Sequence, residues 1–360
     1  MDKRCYYLGF NLINGIGPVR TNRLIELFGS VEAAWKASHS ELLHAGLDSR
    51  STEQLLTKRR SFDLEALLED ALKQGIQVIC REDPDYPSLL SHVPNPPPLL
   101  YVRGTLHPND QWALAVVGTR KPSNYGREVT RRFVEELCHA GITIVSGLAL
   151  GIDTIAHSTA LEAGGRTIAV LGCGVDISYP ERNHQLAQQI CEQGALVSDY
   201  PIGTKPIANN FPPRNRIISG LSLGTLVVEA GQRSGSLITV DFALEQGREV
   251  YAVPGQIYNE PSMGTNELIR SGASLASSPQ IILDDLNLAG AMVQQEIADI
   301  VPHDPIEAEI LKWLSPNPIH IDELGRASGL SSSQLLAALS MLELKGSVRQ
   351  LGGMQFVRAR

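Results

Sequence analysis

Trp112 to Asp153 reads WALAVVGTRKPSNYGREVTRRFVEELCHAGITIVSGLALGID. Two runs in it, Trp112–Gly118 and Ile142–Ser146, are strand-like and predominantly apolar, and between them lies a helical stretch from about Asn124 to Ala140. Strands that are continuously apolar rather than alternating belong in a parallel sheet covered on both faces. The pattern continues with a helix from Asp153 to Ala163, RTIAVLG, a helix near Arg182 to Gln193, GALVSDY, a helix from about Arg214, GTLVVEA, a helix from about Ser236 to Gln246, and REVYAVPG. Residues 76–286 are therefore expected to form a doubly wound, mostly parallel, Rossmann-like α/β domain.

Outward from this core the character changes on both sides. Residues 1–75 read as short helices separated by Gly, with apolar residues at helical spacing in Leu24, Ile25, Leu27 and Phe28 and again in Leu64, Leu67, Leu68 and Leu72. A small helical domain is expected there. A Pro-rich connector, DPDYPSLL to VPNPPPLLYVRG, favours extended chain. Beyond the core, residues 287–304 read as a linker, and residues 305–360 as three helices (EAEILKWL, HIDELGRASG, SSQLLAALSMLELKG) followed by SVRQLGGMQFVRA, a hairpin with a Gly-Gly turn. That is a winged-helix pattern.

The 360 residues, 43% hydrophobic and 19% charged, suffice for more than one core. No apolar run approaches the roughly 20 residues that span a bilayer, and MDKRCYYLGF has no signal-peptide core, so a cytoplasmic location is expected. Cys5, Cys80, Cys138, Cys173 and Cys191 are scattered singly, without a CxxC pair, and read as reduced thiols rather than metal ligands. A net charge of −8 argues against coating nucleic acid through bulk positive charge. Local balance differs: Pro201–Arg233 carries Lys205, Arg214, Arg216 and Arg233 against Glu229 alone, and Val116–Arg132 has five basic residues against Glu128. An acidic body with basic stretches suits an anion-binding cleft.

In a doubly wound sheet, ligands sit beyond the carboxyl ends of the strands. Here those turns are VGTR (Val117–Arg120), SGLALGID (Ser146–Asp153), LGCGVD (Leu171–Asp176) and GQRSGSLIT (Gly231–Thr239). Glycine there lets backbone amides approach an anion, and a following helix adds its positive end. A single such turn is equally well plain turn chemistry; several on one rim point to a ligand with several phosphates. None matches GxGxxG with its acidic partner or GxxxxGK[ST], so no NAD or ATP cofactor is expected. The loop PIGTKPIANNFPPRNRIISG, Pro201–Gly220, sets Lys205, Phe211, Arg214 and Arg216 on a Pro-stiffened segment: cations for phosphates and an aromatic face for a base. The alternative is that Phe211 packs in the core and the arginines pair with carboxylates. Ser146, Asp153 and His157 resemble part of a triad, but capping of the helix by Asp153 and a carbonyl bond from His157 account for them more simply. No catalytic residue is assigned. Near the amino end, Gly15 and Gly17 lie between two helical stretches, as in modules that offer amides to a DNA phosphate, and packing explains them equally well. The third helix of the winged-helix region offers only Lys345 as a cation, which makes it a poor reader of duplex DNA.

Read in order, VGTRKPSNYG, SGLALGIDTIAH, LGCGVDISYPERN, YPIGTKPIANNFPPRNRIISGLS, LVVEAGQRSGSLITVDFALEQGREVYAVPG and GTNELIRSGA resemble the DprA (Smf) family over roughly Pro84 to Ala273. The resemblance implies a cytoplasmic, non-enzymatic protein that binds and protects single-stranded DNA, dimerises through its central domain somewhere after Asp241, and helps load a RecA-type recombinase during natural transformation and recombination. Carried over, it implies a phosphate pocket at Gly118, Thr119, Arg120, Lys205, Arg214, Arg216, Ser234, Gly235 and Ser236, with Phe211 stacking. Two rivals are a phosphoribohydrolase-like enzyme, whose PGGxGTxxE signature would have to fall on SLGTLVVEA with Glu229 in the acidic place, and a winged-helix regulator of duplex DNA. Ser222 and Leu223 stand where the first needs glycines.

Overall fold

A computed structural model describes residues 1–286, 305–314, 319–344, 348–351 and 354–358. The chain divides into two compact units, Met1–Leu286 and Asn287–Arg360. The linker expected at residues 287–304 and the cation Lys345 lie outside the described residues.

The first unit is built on a nine-stranded sheet: β1 Ile76–Cys80, β2 Leu99–Gly104, β3 Ala113–Val117, β4 Thr143–Ser146, β5 Thr167–Val170, β6 Ala195–Ser198, β7 Gly224–Val227, β8 Glu249–Ala252 and β9 Ser274–Leu275. Their order is β1-β2-β6-β5-β4-β3-β7-β8-β9. From β6 to β9 every neighbouring pair is parallel, with register such as Leu114 opposite both Ile144 and Gly224. β3, β4, β5, β6 and β7 are buried at every position, as continuously apolar strands must be when helices cover both faces. The chain lays β4, β5 and β6 to one side of β3, then returns to lay β7 on the other. This reversal opens a crevice at the carboxyl ends of β3 and β7.

The Pro-rich connector, expected to be extended chain packed over a neighbour, follows β1, includes a short helix at Ser88–Ser91 and ends in β2. β1 pairs antiparallel with β2, and β2 pairs antiparallel with β6. β2 is buried on both faces, and its period of two divides them: Leu99 and Tyr101 join a core shared with the amino-terminal helices, while Leu100 and Val102 join the core of the parallel sheet. The helical region, including helices Lys3–Asn11, Pro18–Phe28, Ser49–Ser61 and Leu64–Lys73, thus packs on the sheet edge through Tyr7, Phe10, Leu64 and Leu68. Cys5, Cys80, Cys138, Cys173 and Cys191 are free thiols.

In the second unit, helices Pro305–Trp313, Ile321–Ser328 and Ser332–Leu344 pack through Ile310, Leu324, Leu335, Leu339 and Leu342 against strands β11 Val348–Leu351 and β12 Gln355–Arg358. A short strand, β10 Ile319–His320, completes a three-stranded sheet beside the expected hairpin. The winged-helix reading holds. No described helix is long and apolar enough to cross a membrane.

Candidate nucleic-acid interface

The crevice is a cavity of about 630 Å³. Gly118 and Arg120 enter it from the turn after β3, Ala149 and Asp153 from the turn after β4, Phe211 and Arg214 from the segment after β6, and Ser234, Gly235 and Ser236 from the turn after β7. Seven residues chosen from sequence therefore line one cavity, although they come from three separate stretches of chain. Arg120 is exposed, and so are Lys205 on the neighbouring loop and Arg233 at the turn after β7. Lys205 does not line the cavity; it stands outside it on the loop Gly203–Asn210.

Glycine has two jobs here. At Gly118 an added Cβ would come within 2.6 Å of Ile152 Cγ1 and 2.9 Å of the Glu229 carbonyl. At Gly151, whose φ is +89°, it would come within 2.4 Å of the Thr119 carbonyl. These glycines interlock the turns after β3, β4 and β7, and the Thr119 amide is itself engaged, donating to the Glu229 carbonyl at 2.7 Å. Gly235 is the opposite case. It is exposed, and nothing lies within 4 Å of where its Cβ would stand, so a ligand can approach the backbone closely. Beside it the Ser234 and Ser236 hydroxyls share a 2.8 Å hydrogen bond at the start of helix Leu237–Glu245.

The helix Phe211–Gly220 divides its two arginines between different environments. Arg214 is 5% exposed; its Nη1 donates to the Gly147 carbonyl at 2.8 Å and also to the Val170 carbonyl. It thereby ties the end of β4 to the end of β5. Burial lowers its pKa to about 10, against the pull of the Asp153 carboxylate, so it stays charged at neutral pH. Arg216 faces away, donating to the Asn95 carbonyl at 2.8 Å and pairing with Asp199 at 2.7 Å. It lines a different cavity. The four cations expected on one strand are divided by their surroundings: Arg120 is exposed at the crevice, Lys205 is exposed on the neighbouring loop, Arg214 bonds carbonyls beneath it, and Arg216 is paired with Asp199 in a different cavity.

Phe211 is half-buried, seated over Gly172, where a Cβ would come within 2.8 Å of the ring. Its other neighbour went unread in the sequence. Tyr179 stacks on it with centroids 5.6 Å apart and planes at 24°, and Tyr179 is itself 46% exposed. An aromatic beside proline in a turn at the same rim was the available signal, the one already used for Phe211.

The triad-like residues are structural, though not as expected. Asp153 accepts from the Gly147 and Ala149 amides, upstream of the helix it was thought to cap. Burial raises its pKa, opposed by Arg214 and those amides. His157 bonds the Thr167 hydroxyl at 2.7 Å instead of a carbonyl, and burial drives its pKa down to about 3. Ser146 donates to the Val116 carbonyl. Glu229 is buried, with its carboxylate accepting the Ser123 amide and hydroxyl at the start of helix Asn124–His139. At the amino end, Gly15 and Gly17 are both exposed; the Gly15 carbonyl accepts from Arg20 at 2.7 Å, and nothing lies within 4 Å of where a Cβ on Gly17 would stand. Both line the cavity that holds Arg216.

The sequence model of the family described as DNA recombination-mediator protein A matches residues 77–287, and that of the DprA winged helix domain matches residues 294–354. Protein Smf of Synechocystis is 35% identical, with 99% of each chain covered. Among solved structures, DNA processing protein A of Streptococcus pneumoniae superposes with a TM-score of 0.68 at 33% identity, covering 79% of this chain and 98% of that one. DNA processing protein A of Helicobacter pylori, whose structure was described for its single-stranded DNA binding mode, gives 0.53 at 32% identity, covering 59% and 95%.

Proposed function

The chain belongs to the DprA (Smf) family, and on that footing we propose that it binds single-stranded DNA without altering it, with the crevice beyond β3 and β7 as the principal contact. The observation that carries this reading is the make-up of that crevice. The exposed Arg120, the Gly235 amide in its open turn and the stacked Phe211–Tyr179 pair surround one cavity, offering a cation, a backbone donor and an aromatic face together. Phosphates would meet Arg120, Lys205 and the Ser234–Ser236 turn. A base would stack on the outer face of Tyr179, with Phe211 behind it.

Bound strand would be shielded from nucleases and handed to a RecA-type recombinase in the cytoplasm, as the family resemblance implies. The same resemblance puts a homodimer contact after Asp241, where Leu244, Ile257 and Tyr258 are exposed apolar residues that a partner copy would cover. The phosphoribohydrolase alternative draws no support from Glu229, whose carboxylate is engaged by the Ser123 amide and hydroxyl and does not line the crevice. The test is a binding comparison of single-stranded DNA, duplex and mononucleotide at two salt concentrations. Tight, salt-dependent binding of the single strand alone is expected; preference for duplex, or turnover of a mononucleotide, would overturn the reading.

A further inference from the structure

Beside the crevice lies a cleft of about 800 Å³ between the amino-terminal helices and the sheet. One wall is the Leu12–Val19 turn and the other is the loop after β6. That loop is shared. Pro206, Ala208 and Phe211 line the crevice, while Thr204, Ile207 and Asn210 line the cleft, so the two hollows lie on either side of a single strip of chain. Lys205 stands exposed on it.

The cleft differs in chemistry from the crevice. The cation that lines it, Arg216, is already paired with Asp199, and Glu245 adds a further carboxylate. Phosphates would be repelled from such a floor. Apolar surface is plentiful, with Val19 and Ile207 each more than half exposed on opposite walls. Asp199 Oδ1, also at the floor, is buried and finds no hydrogen-bond partner among the described residues.

We propose that a single strand leaving the crevice crosses over Lys205 and enters this cleft with its bases turned inward and its phosphates along the outer rim, so that the amino-terminal helices form the second half of the DNA track. This rests on the single-strand reading above. It also gives Gly15 and Gly17 a place at the rim of the same track.

The test is fluorescence anisotropy with labelled oligodeoxycytidylates of roughly 5 and roughly 20 nucleotides, bracketing what one pocket alone can hold. Val19→Asp and Ile207→Asp each add a negative charge at an exposed cleft position, and Leu72→Asp adds the same charge at an exposed site that lines neither hollow. The first two variants are expected to bind the long strand about tenfold more weakly and the short strand as the parent does, with Leu72→Asp unchanged on both. Parent-like long-strand binding by both cleft variants overturns the track, as does an equal loss on the two lengths or an equal loss in Leu72→Asp. Arg120→Ala separates the two readings: if it weakens both lengths while the cleft variants do nothing, the crevice stands and the extension falls; if it binds like the parent, the crevice itself is wrong.

Discussion

The rim of the crevice and the helix beneath it each carry two of the basic residues that the sequence placed on one footing, and their surroundings give them different work. Arg120 and Lys205 are exposed, with no acidic partner described beside them. Arg214 and Arg216 are bonded to carbonyls of the fold, and Arg216 also to a carboxylate. Charge alone does not mark a ligand contact: a guanidinium whose donors are already used holds the site in shape, and one whose donors face water can meet phosphate.

The largest effect that could break this comparison is on stability. Arg214→Ala would leave the buried carbonyls of Gly147 and Val170 without their donor and Asp153 without its neighbouring cation, at roughly 2–5 kcal/mol. Thermal or denaturant unfolding checks it, and a variant as stable as the parent would mean that Arg214 is no brace. The buried layer should also be acid-sensitive where the rim is not. His157 has its pKa lowered from 6.5 to about 3, so the unfolded chain binds a proton that the native state refuses. That contribution is fully present above pH 6.5 and is lost as pH falls from there towards about 3, at about 1.4 kcal/mol per pH unit. His157→Asn, whose amide can still donate to Thr167, should flatten the stability profile in that window; an unchanged profile would place the acid lability elsewhere.

On the aromatic side of the rim, Phe211→Ala and Tyr179→Ala should each weaken single-strand binding by roughly 1–3 kcal/mol with little change in salt dependence. Titrations at several salt concentrations decide this. If Phe211→Ala is silent while Tyr179→Ala is not, the inner ring is only a support. The smallest effect is expected from the single rim cations. Arg120→Ala and Lys205→Ala should each reduce the salt slope by about 0.7 for every phosphate left without its cation, and leave the unfolding midpoint alone.

The parallel sheet was legible because each of its main strands is continuously apolar, a local signal that survives without knowledge of partners. β1 was not. Ile76–Cys80 is five residues between a helix and a Pro-rich stretch, and its antiparallel place beside β2 depends on register with residues about twenty positions away. The crevice was legible for the same topological reason that makes it a site: turns at one end of a parallel sheet converge wherever the winding reverses. The pairing of Arg216 was not legible, because its partner Asp199 lies across space on a different segment. Nothing local in the sequence says that the Thr119 amide donates to the Glu229 carbonyl. Sequence told which residues gather at the rim, but not which of their donors were still available.

β2, with one apolar face towards the parallel sheet and the other towards the amino-terminal helices, limits how the protein can be cut. A fragment beginning at Ile76 would uncover Val78, Leu99 and Tyr101 together, a greasy stripe beside the unprotected edge of β1. Such an edge recruits strands from other molecules. Expressed alone, that fragment should self-associate and precipitate, and its failure to bind DNA would report insolubility rather than a missing contact. Dissection of the chain is therefore better done by point substitution than by trimming.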